Sequence, residues 1–359
     1  MTVTLGAAPP APAATPTRSA LSLTRCPAVP TASALAYQLG YLQEEFADEP
    51  GFDVSFKSIG FTGKLSYAHH ERLWIRNAGH APAVWARAHG VDNRIVALAW
   101  LEGSYPLKVL AASGIATPAD LKGRRVGIIG RAEQAFDLMI AQQLKLFSAA
   151  LATAGLSLAD VQRVDLPAPP HSTEPGPDGL RRDYFREQAA VLAEALRSGQ
   201  VDAVFARLPA DVEAELGIRT VYESRDNPDP LARVHPSVLR GLAVSGALLD
   251  ERRDIVVRYL ARLLQAAEWA LAHPDETVTL IARDFNVAPE ILAGAYDSVA
   301  QGVQIDMDAD KVASLRVQKD FLLEHGFIPQ DFDIGPWVDP APLAEARQLL
   351  ADWKAAGKV

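Results

Sequence analysis

At 359 residues, 49% hydrophobic and 22% charged, the chain is long for one compact core and comfortable for two globular lobes. A formal net charge of −9 argues against non-specific binding to nucleic acid or an anionic membrane, and no apolar run reaches the roughly 18 residues that a membrane span needs. Cys26, the single cysteine, excludes an intramolecular disulfide, and no Cys/His spacing resembles a zinc site, so neither metal nor cofactor is expected.

Residues 1–19 are rich in Ala, Pro and Thr, and Pro9, Pro10, Pro12 and Pro16 interrupt any helix. With neither a basic start nor a continuous apolar stretch, this segment reads as a disordered leader and not as a signal peptide, although a chain that had lost its leader would read the same. A cytoplasmic location is the expectation. The run 20–24 predicts a strand ending on Thr24-Arg25-Cys26-Pro27, and a helix follows near 32–45. Strands are predicted at 53–58, 95–100 and 108–112. Thr117-Pro118-Ala119-Asp120-Leu121 has the marks of a helix start: a capping Thr, Pro in the first position and an acid in the first turn. Strand 125–129 then leaves into Gly130, and a helix near 132–154 would aim its first amides above that strand end.

Strand 161–166 precedes a long Pro/His/Gly loop, 167–183, of the length that lids and mobile insertions have. A helix near 182–198 stops at Gly199, and strands follow at 203–206, 220–222 and 240–245. The remainder is mostly helical, near 251–272, 289–294, 309–325 and 342–354. The alternation of short Val/Ile-rich runs with Ala/Leu-rich amphipathic segments is that of an α/β protein.

The segment Ala119-Asp120-Leu121-Lys122-Gly123-Arg124-Arg125-Val126-Gly127 resembles an element of the periplasmic solute-binding proteins for sulfonates, taurine and pyrimidine precursors. Leu196-Arg197-Ser198-Gly199-Gln200-Val201-Asp202 resembles a second element of that superfamily. Nearer the start, Thr24-Arg25-Cys26-Pro27-Ala28-Val29-Pro30 resembles the Cys-Pro-Val-Pro element of the 2'-hydroxybiphenyl-2-sulfinate desulfinases. Arg76-Asn77-Ala78-Gly79-His80-Ala81-Pro82 is similar to their Arg-x-Gly-Gly segment. The resemblance spans roughly 20–343. It departs in the extra Ala28, in Ala78 for the first Gly, and in Ser66 where the family has a catalytic His, with His69 and His70 just beyond. Arg207 and Arg240 stand where apolar or small residues are expected.

This resemblance implies a two-lobed periplasmic-binding-protein-like (type II) fold with a central cleft. Lobe I is expected over 20–113 and 241–359, and lobe II over 114–240. It also implies a desulfinase-like hydrolase that cleaves the C–S bond of an aromatic sulfinate and releases sulfite, as a cofactor-free monomer acting on a small anionic aromatic substrate. A planar guanidinium at Arg76 suits a two-oxygen anion, and Gly79 offers a backbone N–H with no side chain in the way. Cys26 would attack the sulfur as thiolate, or protonate the ring carbon as thiol while sulfur dioxide leaves, and both routes stay open. Arg25 beside it would favour the thiolate. His69 or His70 would position the thiol or carry a proton, whereas Ser66 offers only hydrogen bonds. Trp74 and Trp100 are candidate ring-stacking walls, Arg207 borders the substrate, and the cleft should hold Cys26, Arg76 and the helix end at Gly130. Each of these has an ordinary alternative: a free Cys usually packs as a small hydrophobe, and Arg and Trp usually belong to surface and core. The rival function is a non-catalytic solute-binding protein or sensor for an aromatic or alkyl sulfonate or carboxylate. A pyrimidine synthase of the same fold lacks support, since its Cys-rich motif is absent.

Overall fold

The computed structural model describes residues 18–26, 29–58, 71–131, 136–169 and 184–359. The chain opens with β1 (Ser19–Arg25), α1 (Ala32–Gln38), α2 (Tyr41–Phe46), β2 (Phe52–Ser58), β3 (Leu73–Gly79), α3 (Ala81–Ala88) and β4 (Asn93–Trp100). It continues through β5 (Pro106–Leu110), β6 (Arg125–Gly130), α4 (Leu138–Ala152), β7 (Gln162–Pro167), α5 (Tyr184–Arg197), β8 (Ala203–Phe205), α6 (Ala210–Leu216) and β9 (Ile218–Glu223). After α7 (Pro230–Arg233), β10 (Leu239–Ser245) is the last strand. Helices α8 (Gly246–Glu251), α9 (Arg253–Ala272), α10 (Pro274–Phe285), α11 (Pro289–Ala295), α12 (Val299–Gly302), α13 (Ala309–Glu324) and α14 (Ala341–Ala355) complete the chain.

The strands form two five-stranded sheets, ordered β2-β1-β3-β10-β4 and β7-β6-β8-β5-β9. The two share one plan. In each, three neighbouring strands run parallel, a fourth runs antiparallel, and the edge strand beyond it runs antiparallel to that fourth. The antiparallel insert of each sheet, β10 or β5, lies next to a crossover in the chain. The crossovers leave the carboxyl ends of β4 and β9 and enter the amino ends of β5 and β10. Both therefore join the carboxyl edge of one sheet to that of the other, and those edges must face across a common crevice, where α/β folds bind ligands.

Sheet membership moves one expected boundary. β5 was expected with the first lobe, 20–113, but it pairs with β8 and β9 in the second sheet. The first crossover is residues 101–105. The alternation of Leu107 and Val109 showed a strand but not which sheet would hold it, since either could bury those side chains. At the start of the chain, β1 begins at Ser19 and the Arg18 side chain bonds Asp53, so the expected leader, 1–19, includes two residues held to the first sheet, and its remainder lies outside the described residues.

Strand alternation divides each sheet into two cores. On one face of the first sheet, Leu21, Leu23, Leu73 and Ile75 pack with Leu35 of α1, Phe46 of α2, Tyr259 of α9 and Ile281 of α10. On the other, Trp74, Ile95 and Leu98 pack with Val84 of α3, Leu322 of α13 and Trp337. The second sheet is covered by α4 on one face and α5 on the other. The helix expected over 32–45 breaks into α1 and α2 because Gly40 turns the chain at φ 85°, a left-handed conformation that glycine adopts without strain. Among the described residues, no helix is long and apolar enough to cross a membrane.

The end of β1 is fixed by a buried ion pair. Arg25 faces α10, where its Nε and Nη2 meet the Asp284 carboxylate at 2.8–3.0 Å. Its guanidinium lies 3.8 Å from the Tyr37 ring centre, and Gln38 also donates to Asp284. The two side chains are only 9% and 1% exposed, so removing one partner strands a desolvated charge. Asp284→Ala is expected to cost about 3–5 kcal/mol in chemical denaturation, and Arg25→Met with Asp284→Leu to recover most of that loss. A loss below about 1 kcal/mol, the worth of a surface pair, would show that the pair does not hold the strand.

Candidate active site

Cys26 is the first residue beyond β1. Its N–H donates to the Asn77 carbonyl at 3.1 Å, so the thiol-bearing residue is tied to the carboxyl end of β3. Asn77 is held in turn, since its Oδ1 accepts from the Ser33 N–H at 3.2 Å where α1 begins. Cys26 is half-buried. In the β1–β3 register Arg25 lies opposite Asn77 and Thr24 opposite Arg76. Arg25 and Asn77 thus share the face toward α1 and α10, while Thr24 and Arg76 share the opposite one. Arg76 is buried there, on the face that also carries Trp74. Gly79 ends β3 next to β10, and a Cβ in its place would come within 3.1 Å of the Pro236 carbonyl. Cys26 and Gly79 therefore stand at the carboxyl edge of the β1–β3 pair, and Arg76 lies earlier on β3, on the face of Trp74.

The other expected site residues divide. Arg25 serves Asp284 and the Tyr37 ring. Trp74 lies in the core with Val84 and Ile95. Trp100 ends β4 at the same edge as Gly79, half-buried, and its Nε1 donates to Glu102 at 2.9 Å. Gly130 ends β6 at the facing edge, but it is buried and a Cβ there would collide with Ile140. The amides expected to face a ligand are occupied: Asp137 caps α4 by accepting from the N–H groups of Arg131, Met139 and Ile140. Ser66, His69 and His70 lie outside the described residues.

Arg207, just past β8, belongs to a cluster that sequence reasoning only partly found. Its Nε donates to the Ser104 carbonyl at 2.6 Å, and its guanidinium lies 4.5 Å from the Tyr105 ring centre and 5.4 Å from that of Tyr296. Nη2 is enclosed with no hydrogen-bond partner among the described residues. Arg240, at 1% exposure, donates to the Pro236 and Ser237 carbonyls and leaves Nε without a partner. His235 packs edge-on against Tyr105 at 4.3 Å. Its Nδ1 accepts from the Ser237 N–H, so the proton sits on Nε2, a fully buried donor with no acceptor.

Electrostatics join these groups to the thiol. Burial raises Tyr296 to about 12; Tyr105 adds to the rise, Arg207 and Arg240 oppose it, and the charge of Cys26 contributes upward. Tyr296 thus lies within electrostatic reach of Cys26 and both arginines. Burial holds His235 well below the usual histidine range, and the charges of Arg240 and Arg207 push it further. Among the described residues no carboxylate lies within 4.0 Å of Arg207 or Arg240. Arg207 and Tyr296 also line a cavity of about 420 Å³, whose wall carries the apolar Leu208, Ile291 and Leu292 and the charged Arg186, Asp211 and Glu290. The sequence signals for Tyr105, His235 and Tyr296 were weak: each is a single polar or aromatic residue in a connecting segment.

His80, directly after Gly79, is fully buried. Its Nδ1 donates to the Leu239 carbonyl at 2.9 Å, which leaves Nε2 as a neutral acceptor with no partner. Burial lowers it to about 4 from an ordinary 6.5, although the Leu239 bond opposes that. A histidine depressed in the folded state contributes full stability above the unfolded value, and that contribution is lost as pH falls from 6.5 toward 4. Between pH 7 and 4.5 the wild type should lose roughly 2 to 3 kcal/mol more than His80→Asn, which keeps the donor to Leu239 but does not titrate. Urea unfolding at the two pH values measures this, and equal losses would show that His80 is not buried neutral.

No family model matches the chain. It is 26% identical to the curated 2'-hydroxybiphenyl-2-sulfinate desulfinases of Rhodococcus erythropolis and Rhodococcus qingshengii, over 90% of this chain and 92% of theirs. Among solved structures, the desulfurization enzyme DszB matches with a TM-score of 0.66 at 23% identity, covering 92% of this chain and 99% of that one. The periplasmic aliphatic sulphonate binding protein SsuA from Escherichia coli matches with a TM-score of 0.63 at 18% identity, covering 89% and 92%. The chain therefore has the two-lobed periplasmic-binding-protein-like fold, and it resembles the 2'-hydroxybiphenyl-2-sulfinate desulfinases along nearly its whole length.

Proposed function

We propose that the chain is a cofactor-free, desulfinase-like hydrolase that releases sulfite from an aromatic sulfinate, with Cys26 as the reacting group and Arg76 and Gly79 as the anion clamp. The observation that carries this reading is the tie between Cys26 and Asn77, which sets the thiol beside the strand that bears Arg76 and ends at Gly79. The similarity to the curated desulfinases supports it. So does the solved complex of a cysteine-to-serine DszB mutant with biphenyl-2-sulfinic acid. A cytoplasmic, monomeric protein is part of the same proposal.

Two routes satisfy the chemistry. In one, the Cys26 thiolate bonds to the sulfinate sulfur, the aryl–sulfur bond breaks, and the aryl carbon takes a proton from water. Water then displaces the thiolate from sulfur and leaves as sulfite. In the other, the Cys26 thiol protonates the ring carbon, sulfur dioxide departs and is hydrated, and water reprotonates the thiolate. Either route needs the sulfinate oxygens fixed by a bidentate cation, which is the role given to Arg76. A second reading, a sulfonate or carboxylate receptor without catalysis, is favoured by the match to SsuA.

Cys26→Ser should lower sulfite release from biphenyl-2-sulfinate by about 1000-fold, the scale of losing a reacting group, and leave ligand affinity within about threefold. Iodoacetamide should alkylate wild-type Cys26 quickly near neutral pH and slowly when the sulfinate is present. A Ser variant with full turnover would end the desulfinase reading. Ligand binding with no sulfite release and an unprotected thiol would establish the receptor.

A further inference from the structure

Arg76 and Gly79 suffice for one anionic group, yet the crevice holds more positive charge than that. Arg207 and Arg240 are paired with carbonyls and aromatic rings, and no carboxylate among the described residues neutralises either. Carbonyl partners satisfy hydrogen bonds but do not cancel a charge, and a buried cation left uncancelled is costly. Three donors have no acceptor among the described residues: Arg207 Nη2 and the Nε2–H of His235, whose side chains both pack on Tyr105, and Nε of Arg240, which bonds the carbonyls of Pro236 and Ser237 just past His235. His235 and Arg240 are each only 1% exposed. Tyr105 joins the group, touching His235 with its ring edge and Arg207 with its face. Tyr296, whose ring faces the Arg207 guanidinium, also lines the cavity of about 420 Å³, where Asp211 and Glu290 stand on the wall without pairing with either arginine. Three spare donors, two permanent charges and aromatic walls are the parts of an anion site that accepts a group borne on an arene.

We infer that Arg207, Arg240 and His235 form a second anion subsite, and that the substrate is a dianion: an aromatic sulfinate bearing another acidic group, such as a carboxylate. This rests on the desulfinase reading for the sulfinate end, whereas the second subsite stands on its own donors. The first acid would lie on Arg76 and Gly79 beside Cys26. The second would accept hydrogen bonds from Arg207, Arg240 and His235 and neutralise the two guanidiniums.

The probes are benzoate and the three benzenedicarboxylates, titrated calorimetrically into the full chain, together with sulfite release from benzenesulfinate and from sulfinate-bearing benzoates. At least one dicarboxylate should bind tenfold or more tighter than benzoate, and the matching carboxylated sulfinate should gain a similar factor in kcat/KM. Arg207→Gln should narrow that binding preference to within threefold, and Arg207→Lys should keep more of it than Gln does. If Arg207→Gln does not fold, the wild-type comparison decides alone. Dicarboxylates that bind no tighter than benzoate overturn the subsite, even if benzenesulfinate is turned over. Tight dicarboxylate binding with no sulfite release from any sulfinate upholds the subsite and removes the desulfinase reading instead.

Discussion

Positive charge enclosed without negative charge is the constraint around which this molecule is arranged. A guanidinium cannot shed its proton at any pH a protein survives, so a buried arginine must find an anion or remain a destabilising element. Arg25 shows the compensated case, set against Asp284 with Gln38 and the Tyr37 ring completing the shell. Arg207 and Arg240 show the uncompensated one: Arg207 has a carbonyl and two phenol rings, Arg240 has carbonyls, and neither has a carboxylate partner among the described residues. His80 and His235 add no charge to this region, because burial keeps both neutral. The protein supplies the cations of a salt bridge and leaves the anion to come from outside.

The fold explains why this charge collects where it does. Both crossovers connect carboxyl edges, so the ends of β1, β3, β4, β6 and β8 open onto the same crevice. Side chains just past those ends escape the requirement to pack into a core and become available to a ligand. Cys26 and Arg207 lie just past such ends and Gly79 at one of them, whereas His80 is buried, and Arg240 enters the same edge from the antiparallel strand β10. The Arg25–Asp284 pair anchors the residue immediately before Cys26 to α10. That limits the freedom of the thiol-bearing residue.

Much of the scaffold was legible in the residues. Val126-Gly127-Ile128-Ile129 announces β6, and the nine strands expected from apolar runs are all present, to within a few residues at their ends. β3 was not legible as a strand, because Arg76-Asn77 interrupts its apolar pattern and the alternation rule fails where a site residue sits in mid-sheet. The Cys-Pro and Arg-x-x-Gly segments pointed to Cys26, Arg76 and Gly79. The electrostatic partners were hidden for a different reason. Asp284 reaches Arg25 across 259 positions, and His235, Tyr105 and Tyr296 come from three separate connections. No local spacing encodes such meetings. The pattern around Gly130 suggested helix amides aimed above the strand end, and only the structure shows Asp137 already capping the amides of Met139 and Ile140.

The claim that the crevice is built for an anion is tested most directly by a thermal-unfolding titration. Benzenesulfinate and its neutral relative methyl phenyl sulfone would be added at equal concentrations to the full chain. A ligand that binds only the native state raises the midpoint, and here only the sulfinate should do so, because only it neutralises the enclosed guanidiniums. Equal shifts with the sulfone, or no shift with either, would contradict an anion-compensated cleft.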